Sequence, residues 1–546
     1  FEKKWNLTLV SNSGDTFDYI IIGGGSSGSI LTNRLSSNGS TVCLIEAGPK
    51  DTNPYIHIPA GYIKNIFSKK LTWNFFSEPS PHTNFRSFSL PQGRVLGGSS
   101  SINGLNYVRG QKYDYDNWEK LGNIGWGYKD VLPYFMKSEN RISTKFFDNR
   151  GTKGELPITD LDLIHPLCEA FLKGTDSLGI PRNEDYNSGN QYGSGYFQRA
   201  IFNGLRYSSS KAFLKPIQNK KNVELKVNAQ VTSIILKNNK AIGVNYIYKN
   251  SDTLKVLRAN KEIILCAGAI NTPKILQLSG IGPASLLSEK GIEVVNDLKG
   301  VGNNLRDHYG VRMVSYLQNI KTFNSIVRGP PLLYEIFKWI IKRPSVLSVS
   351  PSLVHVFAKS SSKLEIPDLE YVMSPASFKE GTVGLLDRIS GMTLGVWQTR
   401  PKSNGYVKIN SKNIHEPPII NPNYLSDPYD VDVLLKSIRI GRNFLSTSSL
   451  QPYLNGQANP SNDLQTDDEL LSWARNEGIT VYHMIGTAKM GHKSDKLAVV
   501  NNKLQVRGIE SLRIADASIM PTMPSGNTNA PTMMIAEKAS DMILGK

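Results

Sequence analysis

Gly23, Gly25, Gly28 and Glu46 are the first residues of this chain whose types and spacing could do chemistry. In a Gly-x-Gly-x-x-Gly run the first glycine allows a tight turn and the second lets the backbone approach a pyrophosphate. The third lets a following helix pack closely on the preceding strand. That helix would offer unpaired N–H groups and a partial positive charge to a diphosphate. Glu46, 21 residues after Gly25, stands where a carboxylate would accept hydrogen bonds from a ribose diol. Together they predict an adenine dinucleotide site. Other chemistries find no support. The three cysteines, Cys43, Cys168 and Cys266, lack metal-ligand spacing, and no Ser-His-Asp arrangement or P-loop lysine is present. No metal is expected.

The elements needed to position these residues are legible around them. Tyr19 to Ile22 is a short apolar, β-branched run that reads as a buried strand. Ser27 to Ser37 carries Ile30, Leu31 and Leu35 on one side, as a helix against a sheet would, and Asn38-Gly39 signals a turn. Thr41 to Ile45 is a second strand, ending at Glu46. The strand–glycine–helix order recurs from Glu262 to Ala267, through Gly268, into a helix from Thr272 to Leu278, so this unit should border the same ligand. Leu512 to Ile514 and a closing helix return the chain to the first unit.

Between these units the reading is coarser. Gly48 to Pro91 has little periodicity and many aromatics and prolines, which marks a lid or binding loop. Gly93 to Gly110 is rich in small residues, which let backbone lie against a large flat ligand and offer N–H and hydroxyl groups to it. Asp114 to Glu139 reads as helical, and Val223 to Val227 and Val231 to Leu236 as strands. From Arg312 to about Gly478 strand-like alternation dominates, the candidate substrate part.

At 546 residues the chain should form two closely joined domains. Its net charge of +17 comes from lysines scattered singly or in pairs beside acids, without a binding module, so nucleic acid is not an expected partner. No apolar run is long enough for a transmembrane helix. We read Leu332 to Ile341 as an ordinary helix of the second part, with docking to a membrane surface as the alternative. The cysteine usage suggests a reducing, cytoplasmic setting, although export stays open. Glycosylation-like triplets at Asn6 and Asn38 are no more than chance would give.

With these segments in place, the chain resembles the glucose–methanol–choline (GMC) oxidoreductases over nearly its whole length. Gly93 to Asp116 resembles the family's first long signature, and GAINTPKILQLSGIG, Gly268 to Gly282, its second. Gly300 to His308, Pro401 to Tyr406 and Asp516 to Pro521 agree with smaller family segments. The resemblance implies an α/β fold: a Rossmann-like FAD-binding domain interleaved with an α+β substrate domain on an antiparallel sheet. The expected division is 15–160, 200–311 and 484–546 for FAD, and 161–199 and 312–483 for substrate.

The resemblance also implies oxidation of a primary alcohol by FAD, with oxygen or a quinone-type carrier receiving the electrons. Gly23, Gly25, Gly28 and Glu46 would hold the ADP half, and the Val231 backbone would meet the adenine. Gly97, Gly98, Ser100 and Asn103 would line the flavin side, and Asp516 and Ala517 the ribityl and pyrophosphate region. Ser27, Ala47, Trp73, Arg94, Gly104, Ala267, Gly268 and Thr528 complete the implied cofactor set. Some members bind FAD covalently through a histidine of the first signature. Ile102 occupies that position here, so FAD is expected to be non-covalent.

Among eight histidines, His483 in TVYHMIGTAKMG resembles the family's catalytic histidine, and Asn527 in PSGNTNAPT its partner. An imidazole suits removal of a hydroxyl proton, and an amide can orient the developing alkoxide. His308 is expected to be a structural or flavin-domain residue. His355 is a candidate for the substrate pocket, and Tyr482 for its wall. Choline-like amino alcohols and aromatic primary alcohols are the candidate substrates. The alternatives on this scaffold are a hydroxynitrile lyase and a light-driven fatty-acid decarboxylase; the His483–Asn527 pair favours alcohol oxidation.

Overall fold

Apolar runs buried on both faces build the first sheet. The computed structural model describes residues 15–145, 147–249, 251, 253–379 and 385–546, so Asn6 lies outside the described residues. Ile20 to Ile22 and the whole of Val42–Ile45 are buried, the pattern of parallel strands covered on both sides. Thr16–Ile22 pairs in parallel with Val42–Ile45 and with Lys255–Leu265. Val223–Lys226 extends one edge and Leu512–Ile514 pairs with Lys255–Leu265, both in parallel. Ala229–Lys237 and Lys240–Tyr248 add an antiparallel hairpin. Its turn places Asn238 and Asn239 at positive φ, a conformation asparagine tolerates.

The helix Ser26–Ser36 follows the first strand at once. A methyl group on Gly28 would strike the Gly23 carbonyl oxygen, so only glycine permits this approach. The closing helix Asn529–Leu544 packs beside it, where Arg34 pairs with Glu537 at 2.7 Å and Glu155 at 2.5 Å. Gly268–Leu278 repeats the arrangement after Lys255–Leu265.

The second sheet has seven antiparallel strands. Its order is Leu454–Asn459, Tyr309–Leu317, Gly391–Gln398, Leu369–Ser374, Val354–Ala358, Gly193–Tyr196, with Ile479–Thr480 also on Tyr309–Leu317. The chain therefore enters this sheet at residue 193, leaves for the first, and comes back from 309 to 480, which makes the two parts interleaved. Each sheet has its own apolar core. Phe75, Phe88 and Leu90 from the long early loop pack into the second core.

Three expectations need correction or detail. The helical stretch from Asp114 to Glu139 is two helices, Lys112–Lys120 and Tyr128–Ser138. Gly122 and Gly125, at φ +92° and +84°, turn the chain between them. The stretch from Gly48 to Pro91 contains short elements, among them Pro54–His57, Tyr62–Asn65 and the paired strands Phe75–Phe76 and Ser89–Leu90. The helix Gly329–Ile340 exists, but it is inside out: Glu335 is buried, while Leu333, Tyr334, Phe337 and Ile340 are exposed. Among the described residues no helix is long and apolar enough to cross a membrane. All three cysteines are buried and free.

Candidate active site

A cavity of about 440 Å³ is lined by residues of both sheets. One end is built by the opening unit. Gly23, Gly25, Ser26 and Ser27 line it at the start of Ser26–Ser36, a helix whose first turn has neither a side-chain cap nor an acid. Its N–H groups are thus open to an anion. Glu46 and Ala47 line the same end, with Val231 on the neighbouring strand. The Glu46 carboxylate accepts from Gly24 N at 2.8 Å and Gly48 N at 2.7 Å; burial nevertheless pushes its pKa up to about 7.

The small-residue loop crosses the first glycines. Gly97 N donates to Gly24 O at 2.7 Å, and a methyl group on Gly98 would sit 2.7 Å from Gly25 Cα. Gly98, Asn103 and Gly104 face the cavity, together with Ile102. Gly28, Arg94, Gly97 and Ser100 stand behind its wall. Ser100 Oγ donates to Gly97 O at 2.6 Å and accepts from Ser209 N, which holds the loop in shape. Arg94 lies 4.7 Å from the ring of Trp73, which lines the cavity. Ala267, Gly268, Asp516, Ala517 and Thr528 line it farther along. Asp516 ties down the start of Gly268–Leu278, accepting from Gly268 N at 2.9 Å and Thr272 Oγ1 at 2.6 Å. A methyl group on Gly268 would meet nothing within 4 Å.

At the far end His483 and Asn527 come together, and His308 joins them. Asn527 Nδ2 lies 3.0 Å from His483 Nε2, and His483 Nδ1 lies 2.9 Å from His308 Nδ1. His308 Nε2 is 2.8 Å from the Thr399 carbonyl oxygen. Hydrogen-bond chemistry fixes the protons along this chain. The Thr399 carbonyl can only accept, so His308 Nε2 carries the proton. Burial pushes the His308 pKa down to about 4, so the ring is neutral and its Nδ1 is a bare acceptor. His483 Nδ1 must then donate, which leaves a lone pair on His483 Nε2 beside Asn527. Burial, and secondarily His308, holds the His483 pKa well below its ordinary value.

Asp307 clamps both histidines. Its Oδ1 accepts from the backbone N–H of His308 at 2.9 Å and of His483 at 2.7 Å, and its Oδ2 from Thr480 Oγ1 at 2.6 Å. Tyr482, between Thr480 and His483, lines the cavity with φ +65°, the left-handed conformation that side chains disfavour. This strained residue sets the direction from which His483 enters. The Trp397 ring packs 6.1 Å from that of His483.

Two sequence expectations change here. His308, expected to be a structural or flavin-domain residue, touches His483. His355 does not line the cavity: it is fully buried among Tyr186, Phe197 and Phe357. Sequence reading also missed Tyr62, Arg312, Phe378 and Trp397 on the wall. For His308 a signal existed, since the Gly300 to His308 segment ends on the Asp307-His308 pair. Arg312 and Trp397 carried none, being placed by strand pairing across 85 positions.

Residues 17–310 and 401–536 match the two halves of the family model described as GMC oxidoreductase. A protein of Pseudomonas putida named alcohol dehydrogenase (acceptor) is 40% identical over 540 residues, covering 97% of this chain and 96% of that protein. An oxygen-dependent choline dehydrogenase of Photobacterium profundum is 36% identical over 533 residues, covering 97% and 93%. The solved structure of an FAD-dependent oxidoreductase from Chaetomium thermophilum matches with a TM-score of 0.89 at 28% identity. That match covers 97% of this chain and 99% of the other.

Proposed function

The chain belongs to the GMC oxidoreductase family, and we propose that it oxidises a primary alcohol to an aldehyde with His483 as general base. It is an FAD-dependent oxidoreductase acting on CH–OH donors. The residues present fit that cofactor. The cavity runs from the uncapped helix start at Ser26 to His483, the backbone at Gly268 is open to it, and Asn527 Oδ1 is buried without a partner. Bound FAD supplies the hydride acceptor.

The chain's own residues do the rest. His483 Nε2, with its lone pair beside Asn527, takes the hydroxyl proton as the carbon–hydrogen bond weakens. Asn527 Nδ2 has a second N–H to give to the substrate oxygen, whose negative charge it orients and stabilises. The His308 Nδ1 acceptor holds the His483 Nδ1 proton in place while Nε2 is protonated. The alkoxide beside the imidazolium offsets the burial that otherwise disfavours it. Ile102 carries no nucleophile, which supports non-covalent FAD.

The observation that carries this reading is the hydrogen-bonded series Thr399–His308–His483–Asn527. We assign 15–160, 200–311 and 484–546 to the cofactor part and 161–199 and 312–483 to the substrate part. The crossings of the chain between the two sheets support this division. Three buried free cysteines suit a cytoplasmic setting. The test is anaerobic bleaching of the bound flavin at about 450 nm by a panel of alcohols in the dark, followed by air. Bleaching with rapid recolouring identifies oxygen as acceptor, and bleaching without it a quinone-type carrier. No bleaching by any alcohol overturns alcohol oxidation and leaves the lyase and decarboxylase readings.

A further inference from the structure

Arg312 brings a positive charge into the cavity wall, and no acid among the described residues stands within ion-pair distance of it; Glu477 acts on it only from farther off. It lies on Tyr309–Leu317 opposite Gly395, and its neighbour on the same face, Gly310, lies opposite Trp397, which packs on His483. Two residues along a strand span about 7 Å, so the Arg312 side chain leaves the backbone one such step from the residue that faces Trp397. The position across from it is kept open: a methyl group on Gly395 would press on Val372 Cγ2 at 3.0 Å. Among the described residues the guanidinium forms no ion pair and donates no hydrogen bond, and its contact is the Phe378 ring at 5.6 Å. Tyr482 and Tyr62 are its nearer polar neighbours, and Glu477 contributes a weaker, longer-range attraction. Arg109 and Arg150 are by contrast buried against Glu139, and the buried Arg206, which has no acid, donates instead to the Ser100 carbonyl and Asn103 Oδ1.

A cation left unpaired in a cavity is unfavourable unless an anion enters with the ligand. Resting on the alcohol-oxidation reading, we propose that the substrate is a hydroxy acid: the carbinol is at His483 and a carboxylate, remote from it, is at Arg312. A planar guanidinium binds a carboxylate through two parallel hydrogen bonds and so fixes which end of the molecule meets the base. An amino alcohol with a fixed positive charge is repelled from the same place.

The test compares the holoenzyme on three alcohols of equal chain length: an ω-hydroxy carboxylate, its methyl ester and a diol. The carboxylate should have a kcat/KM roughly tenfold or more above the ester. Arg312→Met should bring that ratio to about one and Arg312→Lys should restore part of it, with FAD content and Tm retained. Calorimetric titration with a non-oxidisable dicarboxylate should show binding that Arg312→Met loses. Equal use of acid and ester by the unaltered enzyme, or a preference surviving in Arg312→Met, overturns the proposal. If no alcohol bleaches the flavin, the alcohol-oxidation reading fails. The dicarboxylate titration then decides the anion site, and absence of binding overturns it.

On the outer surface, the helix Gly329–Ile340 carries a separate inference. Leu333, Phe337 and Ile340, at helical spacing, are 68%, 55% and 64% exposed, with Tyr334 and Ile341 beside them. Glu335 is turned inward, where it accepts from Val346 N at 3.0 Å. Exposed Arg328, Lys342 and Arg343 flank the apolar face. Apolar side chains bordered by cations match the interface of an anionic bilayer. We infer that this helix rests on such a membrane. Holoenzyme should co-sediment with vesicles of phosphatidylcholine and phosphatidylglycerol, less so at high salt, and weakly with phosphatidylcholine alone. The double variant L333D/F337D should remain in the supernatant with its flavin bound. Failure to co-sediment, or co-sedimentation unchanged in the variant, overturns the inference. A dimer in solution that the variant dissociates overturns it in favour of a second copy on this face.

Discussion

Replacing His308 by leucine should slow flavin reduction without removing the base. In the native site the Thr399 carbonyl accepts the His308 Nε2 proton, His308 Nδ1 accepts from His483, and His483 Nε2 is left with its lone pair. Leucine keeps the bulk but offers no acceptor. The His483 Nδ1–H is then buried without a partner, and the ring is better placed as the other tautomer, with the proton on Nε2 and no base toward the substrate. Restoring the active tautomer costs about 1–3 kcal/mol, the penalty of an unsatisfied buried donor. At about 1.4 kcal/mol per decade, reduction at saturating substrate should fall roughly 5- to 150-fold. His308→Gln offers an amide oxygen to His483 and an N–H to Thr399, and should recover much of the rate. The assay is stopped-flow anaerobic reduction, with FAD content and Tm measured alongside. Reduction of His308→Leu within twofold of the native rate, with FAD bound, would refute the tautomer argument.

Other predictions concern the frame around the site. Glu139→Ala leaves Arg109 buried without its acid and Arg150 with Asp185 alone, and should cost about 3–5 kcal/mol, read as a large fall in Tm. Gly28→Ala drives a methyl into the Gly23 carbonyl and should lower both FAD retention and Tm, measured on purified protein. Glu370 supplies a pH test. Its carboxyl is fully buried, which raises its pKa to about 8 and is only partly offset by the Trp397 indole. A raised carboxyl favours the folded state at low pH, and that advantage is lost as pH rises from the unfolded value through about 8. The stability of Glu370→Gln relative to the native protein should therefore rise by about 1 kcal/mol per pH unit between about pH 5 and 8, then level off. A flat difference in denaturation midpoints across that range would contradict it.

The opening unit was legible because its signals are local: an apolar run, three glycines, a helix and an acid within 30 residues. His483 and Asn527 were legible because each sits in a recognisable segment, although their 3.0 Å contact spans 44 positions. What escaped depends on pairing between distant strands. Arg312 and Trp397 share a cavity face only through the register of Tyr309–Leu317 on Gly391–Gln398. His355 misled for the same reason, since alternation along Val354–Ala358 does not reveal that Tyr186 and Phe197 cover the face it occupies. The helix Gly329–Ile340 has a clear amphipathic pattern, and a pattern alone does not say which side meets the core. Here the buried Glu335 answers it.

Anaerobic flavin reduction by His483→Ala, followed with the best alcohol at saturation, tests the central claim most directly. With the lone pair at Nε2 gone and FAD still bound, reduction should fall by roughly 10²–10⁴, the usual contribution of a positioned general base. Reduction at close to the native rate, with FAD content unchanged, would contradict the assignment of His483 as the group that removes the hydroxyl proton.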